Sequence, residues 1–458
     1  MNHARKVFFL VTVSTTVYFI VSLLATVYNI NWLPLSRINL ISEVVSNTNL
    51  PKPLADTAFA PPETPASDNT TVRNFERFTV PHSITAFNKD TMQFALQNLV
   101  KKLHDLKTGK KTKIRIAYMG DSMIEGDLLT QTLRKLLQQE FGGSGVGFVP
   151  ITSQVSKFRT TVSDDFSDTW KDENFKNASG AAKSSLFLSG HIFRSSNAWV
   201  SMNDNTVIDT TVVLEKSLLC GNAPAGTNVS FNNANISINA PDKFNRVILS
   251  NDLSHKISLR VSSEQLPVYG VSFESESGVF VDNFSFRGIS GIEFGAIDSS
   301  FLQSVAANNN YDVIILQYGV NVLFRPNDKN FSWYGRAFNP VIGKFIKCFP
   351  ASDIVVVSTA DRAFRYNGNY ASAVGIDSLI KVQAALAFEN GACFYNQFAT
   401  MGGTNSIVNW AAQKPPLANK DYVHPNHNGA AVLGGYFFTA IMNDYQKYVQ
   451  QLNSISKK

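Results

Sequence analysis

Apolar and polar positions follow two distinct rhythms along this chain. Residues 114–119 (IRIAYM) form a short apolar run, as expected of a strand buried on both faces, and the run stops at Gly120-Asp121-Ser122. Over residues 128–141, Leu128, Leu129, Leu133, Leu136, Leu137 and Phe141 recur at helical spacing, and Gly142-Gly143 ends the pattern. That order reads as strand, tight turn, helix. The same rhythm returns after residue 290. It predicts a helix over 298–307, buried strands over 311–318 (YDVIILQY) and 353–358 (DIVVVS), a helix over 378–389 leading into a strand at 392–395, and a last amphipathic helix over 429–452. Apolar strands alternating with helices predict an α/β fold whose parallel sheet is covered on both faces.

Between 151 and 274 the rhythm changes. Asn, Ser and Thr become abundant, and short alternating runs appear at 211–214, 229–238, 246–249 and 257–261. Short strands at such spacing, with turn residues between them, predict a β-sandwich inserted into the α/β domain. Trp170, Trp199 and nearby aromatic residues could stack on sugar rings, while a core role in the sandwich is the competing reading.

The first 80 residues follow neither rhythm. Arg5 and Lys6 precede 22 uncharged residues, 7–28. At about 1.5 Å per residue, that run is long enough to cross a hydrocarbon core of roughly 30 Å as a helix. It exceeds the apolar stretch of a cleaved signal peptide, and the leading positive charge predicts an N-terminus inside and the remainder outside the cytoplasm. Residues 29–80, rich in Pro, Thr, Asn and Asp, read as a flexible linker. The expected plan is a signal anchor over 1–28, a linker over 29–80, an α/β domain over 81–150 and 275–458, and the insert over 151–274.

Composition narrows the picture further. A 458-residue chain with 44% hydrophobic and 17% charged residues is not a disordered one. Its 41 Lys+Arg against 35 Asp+Glu leave a net charge of +6, too dilute to suggest a nucleic-acid partner. Cys220, Cys348 and Cys393 lie in separate regions without C-x-x-C spacing, which argues against a disulfide scaffold or a cysteine zinc site. Cys348 and Cys393 read as core thiols.

The candidate chemistry sits at the ends of the predicted strands. Ser122 lies on a strand-to-helix turn, at the sheet edge where open α/β folds bind ligands. Asp421 precedes His424 by three residues, just ahead of the last helix. A nucleophilic serine needs a base, and the base needs a carboxylate to fix its tautomer. Asp421, His424 and His427 could instead ligate a metal, but no further cluster supplies the remaining ligands, and His427 reads as a helix-start residue. Arg325, Asp361 and Arg362 follow strands at the same edge, either lining a crevice or bracing loops.

Four segments in order resemble the SGNH, or GDSL-like, hydrolase superfamily: residues 116–122 ending in Gly120-Asp121-Ser122, residues 287–291 (RGISG), residues 317–321 (QYGVN) and residues 421–424 (DYVH). Met123 departs from the leucine of the GDSL form, and Val322 follows Asn321 where many members carry an acid. The resemblance implies a three-layer α/β/α fold with a parallel sheet, interrupted here by the inserted β-sandwich and preceded by a transmembrane helix. It also implies a Ser122, His424, Asp421 triad and an oxyanion hole from the Ser122 and Gly291 N–H groups and the Asn321 amide, with Gly288 the alternative glycine. No metal or organic cofactor is implied. Its bacterial polysaccharide O-acetylesterases, particularly those acting on peptidoglycan, match an exported domain with a β-rich insert. The expected partner is an acetylated polysaccharide and the expected location a bacterial inner membrane, with the catalytic domain in the periplasm. Acetyl transfer by the same triad, a lipase or thioesterase activity, and a non-catalytic glycan-binding module are the competing readings. Neither the glycan nor the oligomeric state is implied.

Overall fold

The computed structural model describes residues 13–14, 16–17, 80–86 and 94–455. Val13, Ser14, Thr16 and Val17 are helical; the rest of the expected anchor and nearly all of the expected linker lie outside the described residues. Among the described residues, no helix is long and apolar enough to cross a membrane.

The strand Lys113–Gly120 organises the fold. Its alternate residues Ile114, Ile116 and Tyr118 enter one core, with Leu99, Leu103, Leu129, Leu133, Leu433 and Phe437. Ala117 and Met119 enter a second core on the opposite face, with Phe301, Tyr334, Phe338 and Leu379. Period-two alternation in a strand covered on both sides is why this segment is apolar throughout. The helices Leu99–Lys107, Leu128–Phe141 and His427–Ile455 supply the first layer, and Ser299–Asn308, Ser332–Cys348 and Ile376–Glu389 supply the other. The architecture is thus a three-layer, mixed α/β fold.

In the central sheet the strands run in the order Ile84–Thr85, Cys393–Tyr395, Asp353–Val357, Val313–Gln317, Lys113–Gly120, Gly278–Ser285. The first pair is antiparallel and the others are parallel. Gly278–Ser285 was absent from the sequence expectation, yet it pairs with Lys113–Gly120 over its whole length. Its burial on both faces leaves no alternation to read. The helix Ser332–Cys348 was also missed, for it carries Pro340 in its interior.

The β-rich segment forms two antiparallel sheets. One has five strands between Val162–Phe166 and Ala234–Ser237, and the other has six, including Leu214–Gly221, Phe244–Asp252 and Val268–Glu274. Val200, Leu218, Leu259 and Val271 meet in the core between them. The expected single run over 229–238 is a hairpin, because Asn232 and Asn233 both take positive φ (50° and 67°) at its turn. Two findings alter the expected insert. Gly147–Pro150, ahead of the expected start at 151, pairs with Val268–Glu274, so the insert sheet recruits a strand from the segment assigned to the α/β domain. Moreover, Phe187, Phe244 and Tyr269 stack within the second core and meet Phe284 and Phe301. The insert is therefore welded to the α/β layers through aromatic packing. Trp170 packs on the sandwich core and donates its Nε1–H to the Trp199 carbonyl, 3.1 Å away, so its ring serves the sandwich.

Candidate active site

Ser122 sits immediately beyond the strand Lys113–Gly120, in a turn closed by Ile124 N–H donating to the Asp121 carbonyl and Glu125 N–H to the Ser122 carbonyl. Asp127, at the head of the following helix, is left-handed (φ 66°) and fully tied down. Its carboxylate receives two hydrogen bonds from Arg134 at 2.8 and 2.9 Å, one from Thr161 at 2.7 Å, and one from Thr130. Burial alone would raise the Asp127 carboxyl, but the Arg134 and Arg159 charges outweigh it and hold it at about 2. The turn bearing Ser122 is thereby anchored to both the helix and the insert, through Thr161.

Asp421 and His424 lie in the loop before the final helix. Asp421 Oδ1 accepts from the Val423 and His424 amides at 2.9 and 3.0 Å, which orients Oδ2 toward His424 Nδ1 at 2.8 Å. These bonds outweigh burial and lower the Asp421 pKa below its ordinary value. Tyr422 takes a positive φ of 56°, supported by its ring 4.1 Å from that of Tyr370 and by its carbonyl accepting from Ala363 N–H. On the far side of the imidazole, His424 Nε2 is 2.8 Å from Ser122 Oγ. A carboxylate can only accept, so the proton belongs on Nδ1, leaving the Nε2 lone pair for the serine hydroxyl. Ser122, His424 and Asp421 thus form one continuous hydrogen-bonded chain.

The remaining candidates arrive by a different route. Asn321 donates both hydrogens of Nδ2, one to Asp121 Oδ2 at 3.1 Å and one to the Ile289 carbonyl at 2.9 Å. It connects the Ser122 turn to the loop carrying Gly288 and Gly291. Gly291 has φ 90°, and a Cβ there would meet the Tyr318 and Phe338 rings at 2.7 Å, so the backbone requires glycine. At Gly288 (φ 84°) only Lys176 Nζ comes within 4 Å of such a Cβ. Burial pushes the Asp121 carboxyl up to about 7, against hydrogen bonds from the Met123 amide and Asn321 that favour its ionised form.

A crevice of about 440 Å³ opens over Ser122, Asp421 and His424, bounded by Glu125, Arg287 and Phe158. Neither Gly291 nor Asn321 lines it. Phe158, 68% exposed, is an aromatic ring at its wall that no local pattern in the sequence singles out. Glu125 and Arg287 form an ion pair across the same wall. His427, exposed at the first residue of the final helix, also lines the crevice. The flanking candidates divide. Asp361 is fully buried and accepts from Ser406 Oγ and the Ile407 amide, bracing a helix start. Arg325 lies over the Phe324 ring, and Arg362 donates to the Val320 carbonyl at 2.6 Å, beside Asn321. None of the three lines the crevice. The three cysteines are buried, and burial pushes the Cys220 thiol up to about 12.

No family model matches the sequence, and no curated protein matches it either. Among solved structures, the likeness is one of fold. The chain is similar to the solved structure described as "Peptidoglycan O-acetylesterase in action, 5 min", with a TM-score of 0.66 and 19% identity over 79% of this chain and 99% of that one. A family two carbohydrate esterase from Cellvibrio japonicus aligns at a TM-score of 0.27 and 10% identity, over 63% of this chain and 99% of that one. The acetyl xylan esterase AlAXEase aligns at 0.27 and 14%, over 36% and 81%.

Proposed function

We propose that this protein is a serine esterase that removes O-acetyl groups from a cell-envelope polysaccharide, with peptidoglycan as the favoured substrate. The observation that carries the reading is the chain Ser122 Oγ, His424 Nε2, His424 Nδ1, Asp421 Oδ2, with both contacts at 2.8 Å beneath an open crevice. The shared fold with a peptidoglycan O-acetylesterase supports the choice of substrate.

In this mechanism His424 takes the Ser122 proton as Ser122 Oγ attacks the acetyl carbonyl, and Asp421 stabilises the imidazolium that forms. The tetrahedral oxyanion rests on the Ser122 and Gly291 N–H groups and on Asn321. One Asn321 hydrogen must then leave Asp121 or Ile289 to reach it. Collapse expels the sugar hydroxyl, which recovers the proton from His424. A water deprotonated by His424 then attacks the acetyl-enzyme, releasing acetate and restoring Ser122. The uncharged run 7–28 supports, as part of the same proposal, attachment to the inner membrane with the catalytic domain in the periplasm.

The test is acetate release by the full chain from acetylated peptidoglycan, acetylated xylan and a short-chain ester, with Ser122→Ala beside it. Release from peptidoglycan that disappears in Ser122→Ala is the expected result. Persistence of activity in the variant would remove Ser122 as the nucleophile. Acetate appearing only on an added unacetylated glycan would make the protein a transferase.

A further inference from the structure

Beside the crevice lies a second cavity of about 140 Å³, and the two share Glu125, Gly126, Val155 and Arg287 in their walls. Its remaining lining comes from both parts of the molecule. Asn283 and Phe286 belong to the end of a central-sheet strand and the loop after it, whereas Arg159, Asp172, Ser189 and His191 belong to the β-rich segment.

Two polar groups here are buried without a hydrogen-bond partner among the described residues. Ser189 is 3% exposed and its Oγ is unpartnered. Arg159 Nη2 makes no hydrogen bond, its carboxylate neighbour Asp127 Oδ2 lying 3.5 Å away. A buried hydroxyl or guanidinium nitrogen without a partner costs about 1–3 kcal/mol, so these two groups, facing one cavity, call for a hydrogen-bonding partner within it.

The chemistry of the lining selects the ligand. Arg159 faces Asp127, Arg287 pairs with Glu125, and His191 Nδ1 lies 2.7 Å from Asp172 Oδ1, so most of the charge is already answered. What remains is a mixture of donors and acceptors around the apolar face of Phe286, whose ring lies 4.9 Å from that of His191. Lys176, exposed above the Phe286 ring, adds one donor. A neutral ring with several hydroxyls satisfies that mixture, whereas a fatty acyl chain or a second ion does not.

We propose that this cavity is a second sugar subsite, taking the ring next to the acetylated one, and that the β-rich segment thereby acts in substrate recognition at the catalytic centre. The proposal rests on the polysaccharide reading given above. It assigns Ser189 and Arg159 as hydrogen-bonding partners of that sugar and Lys176 as a contact at its edge.

The test compares kcat/KM on an acetylated glycan polymer with kcat/KM on p-nitrophenyl acetate, which is too small to reach the second cavity. Ser189→Val, which removes the unpartnered hydroxyl and adds bulk at the cavity wall, should lower the polymer-to-small-ester ratio at least tenfold, chiefly through KM on the polymer. Lys176→Ala, at an exposed position that leaves folding intact, should lower the same ratio severalfold. Ratios within twofold of wild type in both variants would overturn the subsite while leaving the esterase reading standing. A wild-type protein that cleaves p-nitrophenyl acetate and no acetylated glycan would overturn the polysaccharide reading and the subsite together.

Discussion

The strand Lys113–Gly120 begins and ends in buried charge, and its two ends are built on opposite terms. At its start, Glu274 is completely buried, with Arg115 Nη2 at 2.7 Å, Arg246 Nη2 at 2.9 Å, Lys113 Nζ at 3.2 Å and Ser272 Oγ at 3.0 Å. Burial would raise the Glu274 carboxyl, but the Arg246, Arg115 and Lys113 charges outweigh it and hold it well below the usual carboxylate range. At the other end, Asp121 is equally buried but accepts hydrogen bonds from neutral donors, the Met123 and Asn321 amides, and burial pushes its carboxyl up to about 7. Beyond it the Ser122 hydroxyl meets an imidazole, and the cavities hold unpartnered groups at Ser189 and Arg159. Buried charge by itself therefore does not distinguish function from scaffolding here. Saturation does: the Glu274 network closes on itself, joining the β-rich segment to the central sheet, while the Ser122 end leaves bonding capacity facing a crevice.

That contrast can be broken from its structural side with the largest expected effect. Glu274→Ala leaves Arg115 without its carboxylate and Lys113 and Arg246 with Glu215 as their remaining partner, and should lower unfolding free energy by about 3–5 kcal/mol. Because the network lies at the opposite strand end from Ser122, turnover per folded molecule should remain near wild type. Chemical denaturation together with active-site titration would measure both, and a folded variant with strongly reduced turnover would show that the two ends are coupled.

Asp121 offers the pH-dependent counterpart. A carboxyl whose folded pKa is raised to about 7 gives up stability as pH climbs from the unfolded value near 4, and the whole penalty is present above 7. The difference in unfolding free energy between wild type and Asp121→Ala should therefore shift with pH, wild type losing up to about 4 kcal/mol of ground between pH 4 and 7. A difference independent of pH would mean that Asp121 ionises normally.

Much of this division was legible in the sequence, and its limits have physical causes. The elements around Ser122, Asn321 and His424 were readable because apolar runs, helical spacing and terminal glycines agreed locally. Gly278–Ser285 was not, since burial on both faces leaves it no alternation and the buried Asp282 and Asn283 interrupt its apolar run. The pairing of Gly147–Pro150 with Val268–Glu274 joins residues more than a hundred positions apart, which no local pattern encodes. Ser122, Asp421 and His424 could be selected because their residue types and order suit a hydrogen-bonded chain, and the structure brings the three side chains together. Phe158, Ser189 and His191 could not, for their significance lies in the cavity walls that tertiary packing brings together.

Asn321 tests the functional end most finely. Both of its amide hydrogens are already engaged, by Asp121 and by the Ile289 carbonyl, so it holds the Ser122 turn and the Gly291 loop in register before any substrate arrives. If it then swings one hydrogen to the oxyanion, Asn321→Ala should lower kcat by roughly 10²–10³, about 3 kcal/mol on the barrier, with KM for a small ester little changed. A purely positioning role would give another signature: KM and kcat would both move, and the loss would shrink below pH 7, where a protonated Asp121 can itself donate to the Ile289 loop. Measuring kcat and KM for the variant between pH 6 and 9 separates the two. A kcat within tenfold of wild type across that range would take Asn321 out of the oxyanion hole and leave it on the scaffold side of the comparison, alongside Glu274.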